Sequence, residues 1–99
     1  MNKNTFIIKK MDRRNIGHQF FNYSVSRFAF SNQLFYEMRN WCWQTWGPSK
    51  EMKDWVCDFY KTEALVAQNT QWSWQNDEYY RRIYLASEQE LVLFKLRWE

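Results

Sequence analysis

The chain is poor in residues that bend a backbone and rich in residues that fill space. Gly17, Gly47 and Pro48 are its only glycines and proline, whereas eight Phe, seven Trp and six Tyr occur among its 99 residues. Each such ring buries roughly 150–250 Å². A chain of this length makes one domain with a modest interior. Two arrangements are open: the rings fill a bulky core, or some remain outside to hold a partner. That choice governs which functions the molecule can have.

Mean hydropathy is −0.78, which fits a water-soluble globule. No apolar run approaches the roughly 18–20 residues that span a bilayer. The first residues, MNKNTFIIKKMDRR, contain neither the apolar core nor the small-residue cleavage site of a secretion signal. The expectation is a cytoplasmic protein without membrane contact. Positive charge is concentrated in residues 1–14, where Lys3, Lys9, Lys10, Arg13 and Arg14 face only Asp12. The remainder is near neutral. Residues 1–17 thus read as a basic arm and 18–99 as a single α+β domain; the arm can steer toward phosphate or acidic protein, or simply be solvated.

Local patterns set the elements. Thr5–Met11 is partly β-branched, and its lysines suit an exposed edge strand. Arg13–Gly17 reads as a turn. From Gln19 to Phe28, Phe21, Tyr23 and Val25 alternate with Asn22, Ser24 and Ser26, the period of a strand. Ser31 or Asn32 can cap a helix whose stripe holds Leu34, Phe35, Met38, Trp41, Cys42, Thr45 and Trp46. Gly47-Pro48 stops it. Ser49 can cap a second helix, Lys50–Tyr60, and Lys61–Asn69 is ambiguous. Gln71–Gln75 alternates strictly and pairs as a hairpin with Tyr79–Leu85 across Asn76-Asp77-Glu78. Ser87-Glu88-Gln89-Glu90 fits a capping box at the start of a final helix. That helix is apolar around much of its circumference, so the sheet or another chain should cover it. Antiparallel strands with helices grouped on one face give a two-layer sandwich of three to four strands, a ferredoxin-like variant.

Catalytic chemistry finds little material. Nucleophilic catalysis needs a base beside Ser or Cys, and His18 is the only histidine. Two glycines cannot build a phosphate loop. Asp54 and Asp58 sit four apart among charged neighbours, the pattern of a solvated helix face. Cys42 and Cys57 read as free buried thiols, and the chain has no metal-ligand spacing. A non-enzymatic protein without cofactor or metal is expected.

Two segments resemble a known group. Arg39-Asn40-Trp41-Cys42-Trp43-Gln44-Thr45-Trp46-Gly47 resembles the RxWC…xG helix end of small uncharacterised proteins of tailed bacteriophages. Ile83-Tyr84-Leu85, Ser87-Glu88 and Leu93-Phe94-Lys95-Leu96-Arg97-Trp98 resemble the closing strand, acidic cap and FxLRW helix of the same group. Together they cover about a third of the chain. The resemblance implies a phage product acting in a bacterial cytoplasm, and it assigns no activity to any residue.

Two groups of aromatic and arginine residues are candidate contacts. Tyr36, Arg39 and Trp43 lie off the apolar stripe of the first helix, where they are either covered by a neighbouring segment or exposed as a patch of the residue types enriched at interface hot spots. Tyr80, Arg82 and Tyr84 alternate away from Ile83 and Leu85, so they are expected on the open sheet face, joined by Phe20 and Phe28. The first reading is an accessory protein that binds a protein partner, a host factor or a second copy of itself. The alternative is single-stranded nucleic-acid binding, with bases stacked on Tyr80, Tyr84 and Phe20 and phosphates held by Lys9, Lys10, Arg13 and Arg14.

Overall fold

The computed structural model describes residues 6–15, 18, 20–27, 30–54, 69–77 and 80–99. Its elements run β1 (Phe6–Lys10), β2 (Tyr23–Arg27), α1 (Asn32–Trp46), β3 (Trp72–Asn76), β4 (Arg81–Leu85) and α2 (Glu88–Trp98). The four strands form one antiparallel sheet in the order β1-β2-β4-β3. This is the split β-α-β arrangement of a ferredoxin-like sheet with its last strand moved to the front of the chain. The lysine-bearing first strand lies at an edge, as its composition suggests.

Pairing fixes what each sheet face carries. Val25 opposes Ile83, and Tyr23 opposes Leu85. Trp72 opposes Leu85, and Trp74 opposes Ile83. These residues share the face on which both helices pack. Phe35, Met38 and Cys42 of α1 and Leu91 and Phe94 of α2 complete that core with Phe6 and Phe30. Its rings meet edge to face: Phe6 and Phe94 lie 5.8 Å apart, Phe30 and Phe35 5.5 Å, and Trp41 and Phe94 6.0 Å. Such pairs add about 0.5–1.5 kcal/mol each beyond the area they bury.

The ends of α1 follow from its sequence. The Ser31 hydroxyl accepts the Leu34 N–H at 3.2 Å. Gly47 closes the helix at φ 98°, a backbone state that side-chain-bearing residues rarely adopt. The Asn69 amide then donates to the Trp46, Gly47 and Pro48 carbonyls at 2.9–3.2 Å, supplying partners for orphan helix-end acceptors. Thr45, expected on the buried stripe, is exposed.

After α1 the chain is stitched along β3 by side chains. The Trp72 indole donates to the Gly47 carbonyl at 2.7 Å, and the Trp74 indole donates to the Ser49 carbonyl at 3.2 Å. The Ser49 and Ser73 hydroxyls donate to the Trp72 and Lys50 carbonyls at 2.7 and 2.8 Å. A parallel bridge joins Glu51 to Trp74, so the second sheet edge is covered rather than open. Ser49 therefore ties this strap to the sheet instead of capping a helix through its hydroxyl. Residues 52–54 are helical; the remainder of the expected 50–60 helix, and the 61–68 segment, lie outside the described residues.

The other sheet face is also partly covered. Met11, Phe21 and Met52 pack on Tyr84, with Phe20 alongside. Phe21 precedes β2, so it leaves the alternation predicted for it and joins this second cluster. At the start of α2, Ser87 does not form the expected reciprocal cap. Its hydroxyl donates to the Glu90 carboxylate at 2.8 Å, which gives that largely buried acid a partner.

Candidate functional site

On α1 the inward stripe of Phe35, Met38 and Cys42 leaves a second stripe at the same helical spacing pointing outward. Tyr36 and Trp43 are each 43% exposed, and Arg39 lies between them in sequence. The Arg39 guanidinium carbon is 4.9 Å from the Tyr36 ring centre and 4.8 Å from that of Trp74. The indole bond to Ser49 holds Trp74 in place beneath it. The result is a ring–cation–ring stack across α1 and β3. Each contact contributes roughly 0.5–1 kcal/mol at an exposed site. Arg39 Nε is buried there and makes no hydrogen bond among the described residues. Beside the stack, Arg39, Asn40, Trp43 and Gln44 line a recess of about 250 Å³.

Of the residues expected on the open sheet face, Arg82 contacts both Tyr80 and Tyr84, but the two tyrosines differ in exposure. Tyr80 is exposed, and the Arg82 guanidinium carbon sits 3.7 Å from its ring centre. Tyr84 is buried, contrary to expectation. Its two cross-strand neighbours are Ser24 and Ser73, whose small side chains leave room for a ring between them. Met11, Phe21 and Met52 close over it, and its hydroxyl donates to the Gln75 carboxamide oxygen. Burial pushes the phenol above its ordinary value of 10, and a hydrogen bond to Arg82 only partly opposes this. Phe20 is half-buried against the same cluster, and Phe28 lies outside the described residues.

The basic residues of the first segment are likewise not drawn into one surface. Lys9 and Lys10 are consecutive on β1 and therefore point to opposite faces. Arg13 is exposed on the following turn. Arg14 pairs with Asp12 at 2.8 Å, and its guanidinium holds that carboxyl down at about 2. The described lining of the cavity at Tyr80 is Ser26, Arg27, Phe30, Asp77, Arg81 and Arg82, not Lys9, Lys10, Arg13, Arg14 or Phe20.

The reactive residue types are committed elsewhere. His18 is half-buried, with Nδ1 3.1 Å from the Asn15 carbonyl oxygen. Cys42 is fully buried, and burial pushes its thiol far above the ordinary value of 9, away from nucleophilic use. Cys57 lies outside the described residues. Among the described residues no three His, Cys, Asp or Glu side chains come together as a metal site. No described helix is long and apolar enough to cross a membrane.

In α2, Leu91 and Phe94 are buried and Trp98 is half-buried, but Val92, Leu93 and Leu96 are exposed, Leu96 by 78%. Among the described residues the chain covers one side of this helix only.

Comparison with protein-family models, curated proteins and solved structures finds no match to this chain.

Proposed function

We propose that this chain is a non-enzymatic accessory protein, of the kind expected of a phage product in a host cytoplasm, that binds a protein partner through the outward face of α1. One observation carries the reading. Tyr36 and Trp43 are exposed on the outward side of α1, and Arg39, between them in sequence, is seated between the Tyr36 and Trp74 rings. A preformed stack of aromatic and guanidinium groups loses little side-chain freedom on association, which is where interfaces otherwise lose affinity. Tyr, Trp and Arg are also the residues that dominate measured hot spots. The partner is a host protein or a second copy.

Affinity capture from bacterial lysate, with and without nuclease, tests the reading when run beside Trp43→Ala and Arg39→Ala. The expected outcome is a captured protein that survives nuclease and is lost with either variant, or a dimer in sedimentation that the same variants dissociate. Capture that vanishes with nuclease assigns the surface to nucleic acid. Capture and sedimentation unchanged by both variants reject the α1 face.

A further inference from the structure

Among the described residues the Arg39 guanidinium forms no ion pair and no hydrogen bond, and its Nε is buried without an acceptor. Its contacts are the Tyr36 and Trp74 rings, whose centres lie 4.9 and 4.8 Å from the guanidinium carbon. Rings attract a guanidinium but supply no lone pair for its N–H groups. Its N–H donors are therefore unmatched there. A charged donor without an acceptor costs more than a neutral one. Packing explains the stack; it does not answer the charge.

The recess beside the stack narrows what can answer it. Arg39, Asn40, Trp43 and Gln44 line its roughly 250 Å³, and all four belong to α1, at steps of one, three and four residues that share a helix side. The side chains of Asn40 and Gln44 engage no partner among the described residues, and each carries an NH₂ donor. Trp43 is an exposed wall. Small-molecule sites hold about 300–1,000 Å³, so this recess suits one side chain better than a whole ligand. Arg39 is the one charge among the described lining residues. A single guanidinium balances a carboxylate. A phosphorylated side chain, at about −1.5 to −2, would keep an excess that Asn40, Trp43 and Gln44 cannot offset.

We propose that Arg39 receives a carboxylate from the partner protein: an aspartate or glutamate side chain that enters the recess, pairs with the terminal guanidinium nitrogens and accepts from Asn40 or Gln44. This role rests on α1 being the partner-binding face, and it names the chemistry which that face selects. Seated between two rings, the guanidinium needs little ordering when the acid arrives. Its half-buried surroundings strengthen the pair relative to open water. Fork-to-fork pairing with a carboxylate is a geometry that arginine supplies and lysine does not.

The test screens an array of short random peptides against the whole folded chain and measures the tightest binder by fluorescence anisotropy. Bound peptides should be enriched in Asp or Glu. Exchanging the critical acid for Asn or Gln should weaken binding by about tenfold or more, and so should Arg39→Gln. Glu37→Gln, an exposed charge on another side of α1, should change it by less than about twofold. The exchange within the peptide leaves the protein untouched, so it decides the question even where circular dichroism shows that Arg39→Gln does not fold. Binding that falls with Trp43→Ala, but is indifferent to Arg39→Gln and needs no acid, keeps the α1 face and overturns the carboxylate. Acid-dependent binding that Arg39→Gln leaves unchanged places the contact elsewhere and overturns the assignment. Binding indifferent to Trp43→Ala and Arg39→Gln alike overturns both, as does an array on which no peptide binds saturably.

Discussion

Replacing Tyr84 with Phe removes one hydroxyl from a packed interior and little else. The ring volume is nearly kept, so no cavity term arises. What is lost is the hydrogen bond to the Gln75 carboxamide oxygen, in a pair where Tyr84 is 1% and Gln75 4% exposed, together with the hydrogen bond from Arg82. A hydrogen bond of this kind is worth about 0.5–1.5 kcal/mol net, and a buried acceptor left unpaired costs about 1–3 kcal/mol. Gln75 cannot readily turn to water, because its amide is held on Asp77 at 2.8 Å. We therefore expect Tyr84→Phe to lose about 1–2.5 kcal/mol. In a domain of this size that lowers Tm by roughly 5–15 °C. Urea unfolding followed by tryptophan fluorescence gives the difference directly, with an unchanged m-value showing that the same surface is exposed. Tyr84→Phe combined with Gln75→Met should recover part of the loss, because both partners then become apolar. The pH dependence provides an independent check. The buried phenol keeps its proton in the folded state, whereas the unfolded chain releases it near 10. Its contribution is complete below that pH and declines as pH rises toward the higher folded value. The alkaline decline should be shallower in Tyr84→Phe. A loss under about 0.5 kcal/mol, the range of surface substitutions, would refute the placement of Tyr84 in the interior.

Three further outcomes follow. Gly47→Ala should cost about 1–3 kcal/mol through backbone strain alone, since an added Cβ meets only the Asn69 amide at an ordinary 3.6 Å; thermal melts measure it, and a neutral result contradicts the φ of 98°. Ser31→Ala should cost about 1 kcal/mol by removing the cap on the Leu34 N–H, seen as a lower urea midpoint; no change in midpoint removes the cap. In a Cys57→Ser background, Cys42 should react with a thiol reagent only as fast as the domain opens, because it is fully buried; fast labelling of native protein would show the α1 core face to be accessible.

Element types were readable because each had a local signal. The Ser31 cap, the Gly47-Pro48 stop and the alternation of Trp72 and Trp74 are all properties of neighbours in sequence. Long-range assignments were harder. Alternation put Tyr84 opposite Ile83 and Leu85 correctly, but the covering of that face depends on Met11, Phe21 and Met52 arriving from distant segments. The clue lay in Ser24 and Ser73, small residues that make space for a ring, and it is interpretable only once the strand register is known. The α1 patch was legible as a stripe off the apolar face; Trp74, its fourth member, was not, since it comes from a strand 35 residues after Arg39.

The tryptophans divide between interior and outward surface. Trp72 and Trp43 represent the two sides, and urea unfolding of their alanine variants compares them most directly. Trp72 is fully buried and its indole donates to the Gly47 carbonyl, so Trp72→Ala should lose about 3–5 kcal/mol. Trp43 stands 43% exposed on α1, and Trp43→Ala should lose less than about 1 kcal/mol. A loss above about 2 kcal/mol for Trp43→Ala, approaching that of a core ring, would place this indole in the fold's interior and leave α1 without its proposed contact.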